Sequence, residues 1–412
     1  MKNRYTKLIS CSLSAALLTG ACLTQPETVH AADSSASGLS EEVSVILNGT
    51  TAQADSDAVI IDGSSVTITA AGTYLLSGTL DNGSIIVDAD KEDQVQLILD
   101  GADIHSDTFA ALYVLQADEV TVTLREGSEN SLSNGGAFEG IDENDVDAVI
   151  FSKDDITFDG TGSLQITSPA GHGIACKDDV TFTDGSYEIT AADNAVRAKD
   201  SITISGGIFL LTAEDCLHAE NSDDETLGNI SVTGGQFTID ASDDAIHAEA
   251  QLLIEGGSFN LTAAEGLEAT CITINDGNFT INASDDGINA AAKSSAYTPL
   301  LEINGGTLAI VMASGDTDAV DSNADLIING GTLDITAVSA FDYDGTAQYN
   351  GGTILINGET VNAIPNQMMG GMGGMFGSAA PDGMGAPDGM RAPDGMKAPD
   401  GMNGMRGKRG GF

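Results

Sequence analysis

Apolar and polar residues alternate in short runs along most of the chain, the pattern of β-strands that bury one face. Residues 231–249, SVTGGQFTIDASDDAIHAE, contain an apolar strand, a Gly-Gly turn, a second alternating strand and an acidic corner. The same order returns in residues 252–269, LLIEGGSFNLTAAEGLEA, and in residues 272–290, ITINDGNFTINASDDGINA. The unit therefore repeats, with a period of about 21 residues where nothing is inserted.

Coils of this length predict an all-β fold, a parallel β-helix that forms a solenoid of about 21-residue coils. A propeller needs about 40 residues per blade, and a leucine-rich repeat has its own Leu and Asn signature. Neither pattern is present. Residues 221–228 and 291–300 interrupt the repeat and are expected to form loops on one side of the cylinder.

The alignment of the repeats predicts which side chains stack inside the cylinder. One apolar column reads Leu164, Tyr187, Phe209, Phe237, Phe259, Phe279, Leu308, Leu333 and Ile354. A second column, two residues later, reads Ile166, Ile189, Leu211, Ile239, Leu261, Ile281, Ile310, Ile335 and Ile356. Before the first column, most coils carry Gly-Gly, which is expected to supply the positive φ of a tight corner.

The chain divides into four predicted regions. Residues 1–31 form a secretory signal, because Lys2, Arg4 and Lys7 precede a short apolar run. Cleavage after Ala31 competes with lipidation at Cys22 within LTGAC. Either process places the protein outside the cell or on its surface, with attachment to the surface if Cys22 carries lipid.

The other three regions belong to the body and the tail. Residues 38–139 are less regular and are expected to form the first coils and a cap, since an open solenoid end exposes unpaired backbone. Residues 140–364 form the regular β-helix. Residues 365–412 hold nine of the 11 methionines among Gly and Pro and predict a disordered tail. Such a tail suits flexible surface contacts, and its sulfur atoms are also a ligand type for Cu(I).

The composition limits the partners. The chain has 62 acidic and 15 basic residues and a net charge of -47, which makes nucleic acid and anionic membranes poor partners. We expect a monomer. Cys176, Cys216 and Cys271 lie in the body at irregular spacing and in three different columns, so they do not form a disulfide framework.

Acidic residues recur at one position of the coil, just before a small residue and an apolar residue. That position reads Asp147, His172, Asn194, Asp215, Asp244, Glu265, Asp286 and Asp318, and the residue before it adds Asp193, Glu214, Asp243 and Asp285. Carboxylates stacked about 4.8 Å apart repel by about 1 kcal/mol even in bulk water. Calcium ions between the coils would relieve that repulsion through carboxylate and amide oxygens. The alternative is a solvated acidic edge.

A second column follows three residues later and reads Arg197, His218, His247, Glu268, Asn289 and Asp321. Two Asp-x-x-His pairs, Asp215 with His218 and Asp244 with His247, have the residue types of a zinc site. Polar contact with a bound polymer is the alternative role for Arg197, His218 and His247.

A short basic column contains Lys153, Lys177 and Lys199, each followed by Asp. These lysines either neutralise the adjacent carboxylates, or bind sugar carboxylates, or supply a base for β-elimination beside calcium. Lys177, Lys199 and Arg197 are therefore candidate ligand-binding residues.

Five segments in order carry a resemblance to a known family: ITAAGTYLLSGTL, VQLILDGADI, TLREGSEN, the acidic coils and FDYDGTAQYNGGTILING. Together they resemble exported bacterial calcium-binding and carbohydrate-binding β-helix proteins, related in fold to pectate-type polysaccharide lyases. The likeness spans about residues 42–358. It implies a right-handed parallel β-helix with bound calcium ions, and affinity for polygalacturonate or cellulose. It also extends the calcium ligands to Asp316, Asp342 and Asp344. Ala264 and His172 break the acidic pattern, which puts an ion at those coils in doubt.

Calcium-dependent binding of an acidic polysaccharide is the function that these observations favour. No catalytic set is evident, and the absence of Trp argues against recognition of neutral sugars by stacking. Two alternatives stay open: a calcium-dependent lyase, and a surface adhesin without a specific glycan.

Overall fold

The computed structural model describes residues 42–140, 143–315 and 317–366. These residues form strands and no helix, and they build a parallel β-solenoid of about 12 turns with an average spacing of about 24 residues. The predicted fold class is confirmed. The predicted period of 21 residues is shorter than the average because insertions lengthen some coils. Within the described ranges, no helix has the length and apolarity that crossing a membrane requires.

The strands fall into an irregular N-terminal group and a regular group. The first group is β1 (Val43–Gly49), β2 (Ala52–Ala54), β3 (Val59–Asp62), β4 (Ser65–Ile68), β5 (Gly72–Leu80), β6 (Ser84–Asp88), β7 (Gln94–Ser106), β8 (Leu112–Gln116), β9 (Glu119–Leu124) and β10 (Glu129–Asn134). The second begins with β11 (Ala148–Ser152), β12 (Asp155–Gly160), β13 (Ser163–Ser168), β14 (His172–Cys176), β15 (Asp179–Phe182), β16 (Ser186–Ala191), β17 (Val196–Ala198), β18 (Ser201–Ile204), β19 (Ile208–Ala213), β20 (Leu217–Ala219), β21 (Asn229–Val232), β22 (Gln236–Ala241) and β23 (Asp244–Ile254). It ends with β24 (Ser258–Ala263), β25 (Glu265–Ile274), β26 (Asn278–Ala283), β27 (Ile288–Ala290), β28 (Leu300–Ile303), β29 (Thr307–Met312), β30 (Asp321–Ser322), β31 (Asp325–Ile328), β32 (Thr332–Thr336), β33 (Asp342–Tyr343), β34 (Ala347–Tyr349), β35 (Thr353–Ile356) and β36 (Glu359–Val361).

The strands stack into three parallel faces. Sheet 1 runs through β4, β6, β8, β11, β14, β17, β20, the first half of β23, the first half of β25, β27, β30 and β33. Sheet 2 contains the first halves of β5 and β7, then β9, β12, β15, β18, β21, the second halves of β23 and β25, β28, β31 and β34. Sheet 3 contains the second halves of β5 and β7, then β10, β13, β16, β19, β22, β24, β26, β29, β32 and β35. Antiparallel pairs join β1 to β2, β3 to β4 and β35 to β36, near the two ends of the described solenoid.

The interior contains the two predicted apolar columns, in the predicted register. Phe209, Phe237, Phe259 and Phe279 are buried, and their neighbouring rings stack nearly parallel with centroids 4.5 to 4.9 Å apart. Like residues therefore occupy equivalent positions in neighbouring coils and pack directly against one another. This regular core fixes the coils against one another and so fixes the outer face of sheet 1.

Glycine at the predicted corner has two physical reasons. Gly257 has φ +113°, a backbone conformation that residues with a side chain rarely adopt. A Cβ atom there would also lie 3.0 Å from the ring of Phe259. In this coil, both the backbone conformation and the neighbouring ring therefore favour glycine at the corner.

Some of the predicted features fall in parts of the chain that the structure does not describe. The signal segment with Cys22, the ligand candidate Asp316 and the tail from residue 367 lie outside the described residues. Cys176, Cys216 and Cys271 are free thiols in three separate columns, as predicted.

Candidate cation and carbohydrate site

The outer face of sheet 1 presents three columns of side chains. The acidic column contains His172, Asn194, Asp215, Asp244, Glu265, Asp286, Asp318 and Ser339. The central column contains Tyr113, Phe151, Ala175, Arg197, His218, His247, Glu268, Asn289, Asp321 and Asp342. The edge column, two residues later, contains Lys153, Lys177, Lys199, Glu220, Glu249 and Thr270. Chemistry therefore changes along this face, from aromatic and basic to acidic.

The predicted register of the acidic column is wrong at its first position. Ala148, not Asp147, pairs with His172. Gly171, with φ +72°, forms the corner beside the Asp147 carbonyl, which places Asp147 one residue ahead of the column. Its carboxylate still lies 3.6 Å from His172 Nε2.

In the middle coils, cationic side chains of the protein itself neutralise the carboxylates. His218 Nδ1 lies 2.8 Å from Asp215 Oδ2, and His247 Nδ1 lies 2.7 Å from Asp244 Oδ2. Glu268 is buried and contacts both His247 Nδ1, at 2.8 Å, and Lys293 Nζ, at 2.8 Å. In these coils the carboxylates of Asp215, Asp244 and Glu268 are therefore paired with side chains of the protein.

The pKa shifts in the middle coils follow from this network. Burial opposes the charged form of His247, but hydrogen bonds to Asp244 and Glu268 raise its pKa to about 10. Burial also opposes ionisation of Glu268, yet its contacts with His247 and Lys293 hold its pKa below the usual range. His247 is therefore the positively charged imidazolium at neutral pH, with a proton on both ring nitrogens.

The cluster of Asp244, His247 and Glu268 has metal-ligating residue types within 4.8 Å of one another. Its contacts of 2.7 and 2.8 Å between the imidazole Nδ1 and the two carboxylates are hydrogen-bond distances. An ion between these atoms would have to push them apart. The residues fit a protonated histidine held by two carboxylates better than a metal ion on Nδ1.

Toward the C-terminus, acidic residues continue without such cations. Among the ion pairs of the described residues, none involves Asp286, Asp321 or Asp342. Buried oxygen atoms of Asn289, Ser339 and Asp342 also have no hydrogen-bond partner. Buried polar atoms rarely stay unsatisfied in native proteins. We call the group of Asp286, Asn289, Asp321, Ser339 and Asp342 the open acidic end.

Crowding changes the ionisation of this group. Burial and the neighbouring carboxylates of Asp321, Asp285 and Asp318 raise the pKa of Asp286 to about 7. Burial, with Asp342 and Asp318, raises the pKa of Asp321 to about 6. The donor atoms are carboxylate, amide and hydroxyl oxygens, the set that Ca²⁺ prefers. The residue types of the open acidic end therefore suit calcium. Among the described residues, the groups of three acidic or histidine side chains with ligand atoms within 4.8 Å of one another lie elsewhere: Asp244 with His247 and Glu268, and Asp155 with Asp178 and Asp179.

The remaining predicted ligands lie at other places. Asp193, Glu214, Asp243 and Asp285 form a row at the corner beside the acidic column, linked through backbone hydrogen bonds, and all but Asp193 are exposed. Asp344 is exposed next to Asp342. Glu265 accepts a hydrogen bond from Asn289 and, mainly through burial, has its pKa raised to about 8. Asn194 donates to Asp215 at 3.3 Å.

The predicted basic residues line a cleft of about 220 Å³ on the same face. Lys177, Arg197 and Lys199 contribute cations to it, and Glu220 and Asp147 contribute carboxylates. Lys199 Nζ bonds Asp223 at 2.5 Å, so its partner comes from the first insertion and is not the adjacent Asp200. Lys177 Nζ lies 5.3 Å from the centre of the Phe151 ring. A chain of strongly negative charge thus concentrates three cations at one place.

Two features of the site were missed from the sequence. Lys293 belongs to the second insertion, where no column assigns it a neighbour, yet it reaches Glu268. A cluster of Asp155, Asp178 and Asp179 also lies at the corner between sheets 1 and 2. The repeated Lys-Asp pairs were the sequence signal for that cluster, but they were interpreted through the lysines and not through the aspartates.

The family described as "Carbohydrate-binding domain-containing protein" matches residues 62–273 and 265–363. The chain belongs to this family. A curated relative from Acetivibrio thermocellus with the same description is 32% identical over an alignment of 190 residues, and the match covers 43% of this chain and 64% of the relative. The chain therefore spans less than two thirds of that relative's length.

A solved structure is also similar to this chain. It is described as the polysaccharide lyase-like protein from C. thermocellum, gadolinium derivative. The sequence identity is 23%, the TM-score is 0.40, and the match covers 77% of this chain and 95% of the other.

Membership of this carbohydrate-binding family changes how the outer face of sheet 1 is understood. The basic cleft and the open acidic end lie on the same face of sheet 1, several coils apart. An extended polymer chain could contact both, which a small ligand could not.

Proposed function

We propose that this member of the carbohydrate-binding domain family binds an acidic polysaccharide, such as polygalacturonate, in a calcium-dependent manner. One observation carries the proposal: the basic cleft of Lys177, Arg197 and Lys199 shares a face of sheet 1 with the open acidic end. The cations suit the carboxylates of uronic acids, with Arg197 able to form a planar, bidentate pair.

Calcium is expected to act on both the protein and its ligand. The net charge of -47 repels a polyanion. A calcium ion held by Asp286, Asp321 and Asp342 would remove that repulsion locally and leave coordination positions for sugar oxygens. The proposal includes export to the cell exterior or surface and a monomeric state, as the signal segment and composition suggest.

We propose binding without cleavage, and the contacts of Lys199, one of the candidate bases, support this form of the proposal. A lyase needs an uncharged base beside the sugar ring. The hydrogen bond from Lys199 to Asp223 raises the pKa of Lys199 and keeps it protonated. Incubation with polygalacturonate and Ca²⁺ is therefore expected to release no unsaturated uronides, detected by ultraviolet absorbance.

Retention on immobilised polygalacturonate tests the proposal. Wild-type protein is expected to be retained with Ca²⁺ and to elute with a chelator. Arg197→Ala should weaken retention, whereas Arg125→Ala, which removes an exposed arginine bound to Asp100 in the N-terminal coils, should not. Equal retention with and without Ca²⁺ would contradict calcium dependence, and no retention in either condition would favour the adhesin alternative.

A further inference from the structure

Two histidines in the middle of the central column form a pair that the proposed function does not use. The imidazoles of His218 and His247 stack with centroids 4.6 Å apart and an angle of 4° between their planes. They belong to adjacent coils, in the strands β20 and β23. Parallel rings at this distance point their equivalent nitrogen atoms in the same direction.

The Nδ1 side of both rings is fixed by carboxylates. Asp215 Oδ2 lies 2.8 Å from Nδ1 of His218, and Asp244 Oδ2 lies 2.7 Å from Nδ1 of His247. A carboxylate on Nδ1 holds the proton there, sets the ring orientation and raises the basicity of the opposite nitrogen. Carboxylate–histidine pairs of this kind support metal ions in many proteins.

The Nε2 side faces two further carboxylates of the edge column. His218 Nε2 lies 3.5 Å from Glu220 Oε2, and His247 Nε2 lies 3.9 Å from Glu249 Oε2. These separations are longer than hydrogen bonds and leave room between the atoms. The side chains of Glu220 and Glu249 are 42% and 22% exposed, so this edge is open to solvent.

We propose that His218 and His247 bind one divalent transition metal ion of the zinc class through Nε2, with Glu220 and Glu249 as oxygen ligands. Two imidazole nitrogens and two carboxylate oxygens match the ligands of zinc, whereas Ca²⁺ takes oxygen ligands. The site therefore differs in chemistry and place from the open acidic end. It does not depend on polysaccharide binding.

Closing the site requires two small changes. The Nε2 edges must tilt toward each other, because the ring centroids are 4.6 Å apart. Glu220 must also exchange its contact with Arg197, whose Nη2 lies 3.8 Å away, for the ion. Each imidazole binds the metal with its Nε2 lone pair, so any proton on Nε2 passes to the solvent, while Nδ1 keeps its proton.

Calorimetric titration with Zn²⁺ tests the inference on the full chain in excess Ca²⁺, which fills oxygen-only sites. Wild-type protein is expected to bind zinc at a site that His218→Ala weakens at least tenfold. His105→Ala is the matched control, since His105 also contacts an aspartate but lies in the N-terminal coils. Its zinc binding should equal that of the wild type.

Glu249→Gln provides an independent variant on the exposed edge and is expected to weaken zinc binding severalfold, even if His218→Ala does not fold. Substituting Co²⁺ for zinc should give a visible absorption spectrum that both variants diminish. Wild-type affinity for zinc in both variants would overturn the inference. Loss of zinc binding in excess Ca²⁺ would also overturn it, since zinc would then occupy the calcium ligands.

Discussion

At the scale of single residues, neighbouring carboxylates on sheet 1 are stabilised in different ways. Glu268 is nearly fully buried, and His247 and Lys293 neutralise it directly. Asp321 has no such partner among the described ion pairs, and its pKa is raised by burial and by Asp342. The same column position therefore holds a carboxylate within a charge network in one coil and a carboxylate without an ion pair among the described residues two coils later.

Removing the charge of Lys293 tests the closed network. Lys293→Met is expected to lower the free energy of unfolding by about 1–3 kcal/mol, because a buried carboxylate loses a charged hydrogen-bond partner. Lys199→Met is the matched control, since its partner Asp223 is 77% exposed, and it should cost less than about 1 kcal/mol. Equal losses in chemical denaturation would contradict the assignment.

Asp178 provides the test of pH dependence. Burial, the charge of Asp155 and a hydrogen bond with Asp200 raise its pKa from 3.8 to about 7. The folded state binds this proton more tightly than the unfolded state does. The contribution of Asp178 to the free energy of unfolding therefore falls as pH rises from about 4 to about 7.

Asp178→Asn removes that dependence. In the presence of a chelator, the variant should match the wild type near pH 4 and be more stable near pH 8, by less than about 1 kcal/mol because the group is partly exposed. Thermal unfolding at both pH values measures this. A variant that is less stable than the wild type at pH 8 would show that the Asp178 charge is favourable.

At the scale of the elements, features that recur from coil to coil were predictable from the sequence, and features confined to one coil were not. The columns containing Phe237 and His247 were predicted correctly, because stacked coils place equivalent residues together. The contact between Lys293 and Glu268 could not be predicted, because an insertion has no counterpart in the other coils. Burial was also not evident: Asp243 and Asp244 are adjacent in sequence, yet one is exposed and the other is buried.

The glycine corners give a prediction at this scale. Gly257→Ala is expected to destabilise the protein by about 2–4 kcal/mol, since the new Cβ has both a strained φ and a contact with Phe259. Gly127 has φ +74° but open space around it, so Gly127→Ala should cost only about 1 kcal/mol. A similar loss in both variants, measured by denaturant unfolding, would show that ring packing contributes little.

At the scale of the whole molecule, sheet 1 arranges its chemistry along the solenoid axis. Tyr113 and Phe151 occupy the central column near the N-terminal coils, Arg197 follows, and Asp321 and Asp342 stand near the C-terminal end. The chain has a net charge of -47, so this basic segment is an exception to its composition. Under the proposed function, an extended acidic polymer would meet cations of the protein at one position and calcium at another.

Titration of metal-stripped protein with Ca²⁺, followed by calorimetry and thermal unfolding, tests this account most directly. The account predicts measurable binding heat and a higher melting temperature for the wild type. Asp321→Asn should reduce both, and Asp334→Asn, an exposed acid on sheet 3, should reduce neither. Absence of both heat and a change in melting temperature in the wild type would contradict the account.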